Sequence, residues 1–346
     1  MLRFECDYGE GAHPRVLERL TATNLEQTPG YGEDAYCAEA RELLLSVCAQ
    51  NADRADVHFV IGGTQANALT IAAALKPWQG VLCAVNGHIN VHEAGAVEAS
   101  GHKVLALPAC EGKITAEQVC EAVDAHRRSS AREHMVQPGM VYLSNPTEFG
   151  TLYSRAELTA LSETCRTLGL LLFVDGARMG YGLMAEGNDL TLPDYANLCD
   201  AFTIGGTKVG ALFGEAVILT APMLRTDFRC LMKQRGAMLA KGRLLGLQFL
   251  ALFEGGLYFR IAAHADALAM RLHRAFEQHG WPLFFNSRTN QQFPVASNRE
   301  LAQLAERYAF EEWQRMDEGH RAVRFCTSWA TSEDAVDALV HDICSL

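Results

Sequence analysis

The chain lacks the marks of several protein classes. It has no CxxC pair, and its eleven cysteines are odd in number and irregularly spaced. A disulfide framework or a thiolate metal site would need a regular pattern, so reduced and mostly buried thiols of a cytoplasmic protein are expected, with no metal site. Cys48 and Cys83, inside apolar runs, fit that reading. No uninterrupted apolar run approaches the roughly 20 residues of a membrane-spanning helix, and Met1-Leu2-Arg3-Phe4-Glu5 carries no apolar stretch of a secretory signal. Basic residues are in deficit: 30 Lys+Arg stand against 41 Asp+Glu, a formal net charge of −11. Such a chain lacks the positive footprint that nucleic acid or an anionic membrane surface requires. There is no internal repeat and no low-complexity segment.

What is present is an ordinary globular composition, 49% hydrophobic and 21% charged over 346 residues, with room for one or two domains. Short apolar runs alternate with longer amphipathic stretches, the pattern of a mostly parallel sheet wrapped in helices. Seven strands are expected, at 57–61, 80–85, 103–107, 140–144, 170–174, 201–204 and 216–219, with helices at 38–49, 65–74, 91–99, 116–126, 154–167, 237–253, 262–277 and 332–343. The run Leu170–Val174 is apolar without alternation, as in a central strand covered on both faces. The periodicity changes beyond Phe253. The reading is therefore an α/β domain over residues 1–247 and a smaller α+β domain over 248–346, with the stretch 285–297 the least legible.

Ligands of such sheets sit beyond the carboxyl ends of the strands, and three segments there carry chemistry. Ile61-Gly62-Gly63-Thr64-Gln65-Ala66-Asn67 follows a strand and opens a helix, where glycines allow close approach and free N–H groups suit a phosphate. It is neither GxGxxG nor GxxxxGK[ST], which weakens nucleotide readings. Asp175-Gly176-Ala177-Arg178 ends the central strand, so a carboxylate and a fixed cation stand side by side; alone, Asp175 reads equally as a cap. Gly205-Gly206-Thr207-Lys208 puts a lysine after another apolar strand, where desolvation would favour an amine able to form a Schiff base. A phosphate turn, then an acid for a heterocyclic nitrogen, then an amine for an aldehyde, are the three needs of pyridoxal 5′-phosphate (PLP).

With those segments the sequence resembles the low-specificity L-threonine aldolase/β-eliminating lyase family, of the fold-type I (aspartate aminotransferase-like) PLP enzymes. Tyr31-Gly32-Glu33-Asp34, Gly63-Thr64-Gln65-Ala66-Asn67, His88 with Glu93-Ala94-Gly95-Ala96, Asp175-Gly176-Ala177-Arg178, Lys208 and Val323-Arg324-Phe325-Cys326-Thr327 carry the likeness, which runs over nearly the whole chain. The resemblance implies that Lys208 bonds the cofactor, Asp175 pairs its ring nitrogen, and Gly63, Thr64 and Gln65 hold its phosphate. By the same likeness His88 lies on the ring face, and Arg178 and Arg324 grip the substrate α-carboxylate, with Asp7 in the substrate-binding segment. Tyr31 would reach the pocket from a neighbouring subunit, implying a homodimer or homotetramer with shared sites. The implied reaction is cleavage of L-threonine or a related β-hydroxy-α-amino acid to glycine and an aldehyde.

Three departures stand out. Where family members commonly carry Glu-Asn-Thr-His-Asn, this chain reads Ser144-Asn145-Pro146-Thr147-Glu148-Phe149-Gly150, so a histidine proposed as base is missing and Glu148, His88 or a water is left for that task. The usual Ser-Asp-Thr is Cys6-Asp7-Tyr8. A family arginine after Gly-Gly-Met has leucine at Leu239 instead, with Lys241 and Arg243 nearby as possible phosphate or solvent-facing groups. β-Elimination on an amino acid is the alternative within the same cofactor class, and a non-catalytic PLP-binding protein the alternative outside it. Local positive charge from Lys208, Arg178 and Arg324, inside an acidic shell, is also expected.

Overall fold

The computed structural model describes residues 1–346. Seven strands form the main sheet: β2 (Asp56–Val60), β3 (Gln79–Ala84), β4 (Lys103–Leu107), β5 (Gln137–Ser144), β6 (Leu171–Asp175), β7 (Ala201–Gly205) and β8 (Glu215–Leu219). They lie in the order β2-β8-β7-β6-β5-β3-β4. The pairs β3/β4, β3/β5, β5/β6 and β6/β7 are parallel, and only β8 runs against its neighbours β2 and β7. β6 is central and almost wholly buried, as its unbroken apolar run requires. Helices cover both faces, with 48 buried residues in the core on one side and 22 on the other.

A second sheet of four strands, β12-β13-β10-β9, is built from β9 (Leu283–Phe285), β10 (Gln291–Ser297), β12 (Glu311–Arg315) and β13 (His320–Cys326), all antiparallel. The segment hardest to read in sequence, 285–297, therefore holds β10 and the last residue of β9, with a bulge at Phe293/Pro294 where proline interrupts the ladder. The chain's first strand, β1 (Leu2–Arg3), pairs in parallel with β11 (Tyr308–Ala309), and Phe4 joins the 14-residue core of this smaller layer. The entry segment is thereby anchored beside the C-terminal region before it crosses to the main sheet.

Local rules explain most boundaries. The helix Arg155–Leu168 starts with a Ser154/Glu157 capping box and stops at Gly169 in the left-handed region (φ 74°). The expected helix at 91–99 is instead two single turns, His88–Val91 and Ala96–Ala99, separated by Ala94 and Gly95 at φ 51° and 74°. The expected helix at 237–253 begins only at Arg243, after Gly242. Residues Arg243–His279 are long and apolar enough to match a membrane span by composition, yet 67% of the most apolar window is buried among the other helices and strands. All eleven cysteines are free, and burial pushes the Cys48 and Cys83 thiols up to about 12.

Candidate active site

Strands β2, β3, β5, β6 and β7 end at one edge of the main sheet, and the antiparallel β8 starts there, with Glu215 in register with both Val60 and Gly205. The loops leaving that edge line a cavity of about 140 Å³ bordered by Gly63, Thr64, His88, Ser144, Glu148, Asp175, Arg178 and Lys208. It shares His88, Glu148, Arg178 and Lys208 with a second cavity of about 400 Å³ that Tyr8, His92, Glu311, Trp313 and Arg324 complete. A larger hollow of about 450 Å³ includes Arg54, Arg166, Asp200 and Arg225, at the far end of β6 and β7, and contains none of these groups.

The helix Gly63–Ala74 has glycine at its N-cap and no side chain bonded to its first turn. A Cβ at Gly62 or Gly63 would meet nothing within 4 Å, so the turn is an open cradle at a helix N-terminus. The Gln65 side chain folds back to accept from the Ile61 N–H (3.2 Å), which leaves its main chain to serve a ligand. At the end of β6, Asp175 is buried and surrounded by donors: Tyr142 Oη–H (2.7 Å) and Asn67 Nδ2–H (2.8 Å) to Oδ2, and the Ala177 N–H (2.8 Å) to Oδ1. Gly176 and Gly205 make this corner possible, because a Cβ on either would run into the main chain of the neighbouring segment, at Thr203 or Ala177.

Lys208 follows β7, and its Nζ lies 5.7 Å from the centre of the Tyr8 ring. Arg178 is gripped by Asp7 through two bonds, Nε to Oδ2 (2.7 Å) and Nη2 to Oδ1 (3.0 Å), while Asn290 Nδ2 donates to the same Oδ2 (2.9 Å). Burial works against the Asp7 carboxylate, but the charges of Arg178 and Lys208 and these bonds overcome it and hold its pKa below the ordinary value. Asp7 lines neither cavity; it stands behind Arg178 and aims it. Arg324 is tied to Gln291 Oε1 (2.9 Å), the Glu5 carbonyl (3.2 Å) and the Glu311 carboxylate.

His88 donates its backbone N–H to Glu148 Oε1 (2.7 Å), and its Nδ1 is bonded to Glu93 Oε1 (2.7 Å). Burial disfavours a charged ring there; the Glu93 bond and the nearby Asp175, Glu93 and Glu148 charges outweigh it and raise its pKa. Asn67 Nδ2 bridges Glu93 Oε1 (2.7 Å) and Asp175, Tyr142 links Asp175 to Ser144 (3.2 Å), and Ser144 Oγ donates to Glu148 Oε1 (2.7 Å). The hydrogen bonds thus close a ring through three carboxylates and one imidazole beneath the cavity floor.

The cavities therefore gather Lys208, Asp175, Gly63, Thr64, His88, Arg178 and Arg324, seven of the residues singled out in sequence. Tyr31 is not among them: it is 46% exposed, beside Lys233 (4.4 Å to the ring centre), in a separate depression with Arg41 and Arg229. Arg243 is engaged by the Thr23 (2.6 Å) and Asn24 (3.1 Å) carbonyls, and Lys241 borders neither cavity. The supporting roles of Asn67, Glu93, Tyr142, Thr203 and Glu311, and the wall residue Trp313, were not visible in sequence. Asn67 and Glu93 stood inside the quoted motifs, but nothing local says that their side chains meet. Glu215 was also missed. It is buried, its Oε2 has no partner, and burial pushes its pKa up to about 8 even though the Lys208 charge and the Thr207 hydroxyl pull it down.

The donor set fits PLP. An uncapped helix N-terminus suits a phosphate, a carboxylate bonded only by donors suits a ring N–H, and an amine and a cation flank the space between them.

The beta-eliminating lyase family matches residues 13–298. Low specificity L-threonine aldolases of a Pseudomonas species and of Pseudomonas aeruginosa are each 30% identical, covering 99% of this chain and 96% of their own. The structure of a Leishmania major threonine aldolase is similar with a TM-score of 0.96 and 41% identity, covering 100% of this chain and 99% of that one.

Proposed function

The chain belongs to the beta-eliminating lyase family, and from that premise we propose that it is a PLP-dependent carbon–carbon lyase that cleaves L-threonine, L-allo-threonine or a related β-hydroxy-α-amino acid to glycine and an aldehyde. The observation that carries this reading is the meeting of the uncapped Gly63–Thr64 turn, Asp175, Lys208 and Arg178 around one cavity that opens into a second walled by Arg324 and Trp313. When bound, PLP supplies the conjugated ring that accepts the electron pair left at Cα as the Cα–Cβ bond breaks.

The protein's own residues do the rest. The main chain of Gly63, Thr64 and Gln65 would hold the phosphate, Asp175 would accept from the ring nitrogen, and Lys208 would supply the amine for the aldehyde. Arg178, aimed by Asp7, and Arg324, from the small sheet, hold the α-carboxylate from two sides, and so orient the scissile bond. His88, fixed by Glu93, borders both cavities and would be the flat group facing the ring. Trp313 and Tyr8 wall the space for the substrate side chain.

The division of residues into 1–247 and 248–346 would set these two arginines on different bodies. The exposed Tyr31, away from its own chain's cavity, supports a homodimer or homotetramer in which each subunit lends Tyr31 to its neighbour, and a cytoplasmic setting suits the free thiols. Purified protein with PLP is to be assayed on L-threonine, L-allo-threonine and phenylserine for aldehyde and for ammonia. Aldehyde with glycine is the expected outcome; ammonia with a 2-oxo acid would make the chain an eliminase instead, and a preparation that stays colourless after PLP addition would remove the cofactor from the account.

A further inference from the structure

Cleavage needs a group to take the proton from the substrate's β-hydroxyl, and four ionisable side chains border both cavities: Lys208, Arg178, His88 and Glu148. Lys208 is committed to the cofactor's aldehyde. Arg178 stays protonated and is held by Asp7. His88 is assigned to the cofactor ring face in the reading above, and with Nδ1 taken by Glu93 only its Nε2 is open.

Glu148 differs in each respect. Oε1 receives the Ser144 hydroxyl (2.7 Å) and the His88 N–H (2.7 Å). Oε2 is bonded by no other residue, and Glu148's own N–H adds to the hold on the carboxyl. The side chain is buried from bulk water yet borders both cavities. The groups around it are Ser144, Tyr142 and Tyr153 from β5 and its outgoing loop, Cys83 and His88 from β3 and the turn beyond, and Asp175 from β6. Burial makes this carboxylate more basic than one at the surface, against the opposing pull of Ser144 and the His88 N–H.

We propose that Glu148 is the catalytic base of the reaction, accepting the β-hydroxyl proton on Oε2. The proposal rests on the lyase reading above. In this step the O–H bond breaks, its proton moves to Oε2, and its electron pair becomes the second bond of the aldehyde C=O. The Cα–Cβ pair remains at Cα, which gains a proton to become glycine, and Glu148 loses its proton to water. One proton leaves oxygen, one reaches carbon, and no oxidant or reductant takes part.

The test compares the wild-type holoenzyme with Glu148→Gln and Glu148→Asp. Four readouts are taken: PLP absorbance on titration, kcat and KM for L-threonine and phenylserine, the pH profile of kcat, and exchange of the glycine α-hydrogen in deuterium oxide, which requires no β-hydroxyl. The expected result is a loss of at least about 100-fold in kcat for Glu148→Gln with little change in KM. PLP titration and glycine exchange should stay within a few-fold of wild type, and Glu148→Asp should recover part of the loss. The wild-type kcat should rise with pH through one ionisation that the Gln variant lacks. A Gln variant within fivefold of wild type, or one that loses glycine exchange or PLP binding in step with cleavage, overturns the assignment; the second outcome would make Glu148 a support of the His88 turn. A wild type that releases no aldehyde from any β-hydroxy amino acid, while still exchanging glycine, overturns the lyase reading itself and this proposal with it.

Discussion

Glu215→Gln tests the electrostatics at the edge of the main sheet where the site is built. Glu215 begins β8 and is 3% exposed, and its Oε2 has no hydrogen-bond partner. Burial moves its pKa from 4.5 to about 8, with Lys208 the largest opposing influence and Asp175 adding to the rise. The folded protein therefore keeps a proton on Glu215 between roughly pH 4.5 and 8 that the unfolded chain has given up. The folded-state pKa is the raised one, so stability is greatest below the unfolded value and falls as pH rises through this window. The loss by pH 7 is about 3 kcal/mol, at 1.36 kcal/mol per pH unit. Glutamine has the shape of the protonated acid and does not ionise. For a chain of this length about 1 kcal/mol shifts the thermal midpoint by roughly 1–2 °C. The variant should therefore melt with wild type near pH 5 and about 5 °C above it at pH 7, with both proteins measured at equal cofactor loading. Parallel midpoints from pH 5 to 8 would refute the argument and mean that Glu215 is ionised in the fold.

Other perturbations follow from the contacts. Asp7→Asn removes the charge that aims Arg178 and leaves that cation uncompensated, so KM for the amino acid should rise at least about tenfold and stability should fall by roughly 3 kcal/mol; an unchanged KM would detach Arg178 from carboxylate binding. Tyr142→Phe deletes the 2.7 Å donor to Asp175, a bond to a charged group worth about 1.5–3 kcal/mol, and PLP affinity measured by absorbance titration should weaken roughly tenfold or more. Glu311→Gln releases the ion pair that holds Arg324, and KM for L-threonine should rise several-fold, with the difference shrinking as salt is added; a drop in KM would show instead that Glu311 only competes with the substrate carboxylate for Arg324.

The sequence exposed those parts of the fold governed by short-range rules. Each of the seven strands of the main sheet is a compact apolar run bounded by turn residues, and each was placed to within a few positions. The misplaced helices lie where glycines and positive-φ residues break an otherwise helical composition, at Ala94-Gly95 and Gly242. β10 escaped because Pro294 and a bulge hide its alternation, and β1 because a two-residue strand paired with Tyr308–Ala309 is purely long-range. The site divides the same way. Lys208, Asp175 and Gly63 follow strands and were readable one at a time. The bridge from Asn67 to both Glu93 and Asp175 spans up to 108 positions, and the Asp7–Arg178 pair spans 171. Only folding brings such groups together.

That long-range pairing changes the electrostatic picture of the site. The cations were expected to make a positive pocket within an acidic shell, but both arginines and His88 have a carboxylate already at hand, Arg178 with Asp7, Arg324 with Glu311 and His88 with Glu93, while Glu215 near Lys208 keeps its proton. Free cations on long side chains would have to be ordered when an anion arrives, whereas cations held from behind already point in a fixed direction. The bidentate Asp7 contact occupies Nε and Nη2 of Arg178 and leaves Nη1 unclaimed by it. The carboxylates thus reduce net positive charge and supply direction in its place. For an enzyme that must hold one Cα bond across a ring while leaving the others alone, direction at the α-carboxylate governs which bond breaks. It follows that Asp7, although it borders neither cavity, should affect reaction choice as well as affinity: in Asp7→Asn the ratio of threonine cleavage to glycine α-hydrogen exchange should fall, because a loosened carboxylate lets the amino acid rotate about its Cα–N bond. A ratio equal to that of wild type would mean that Arg324 alone fixes the orientation.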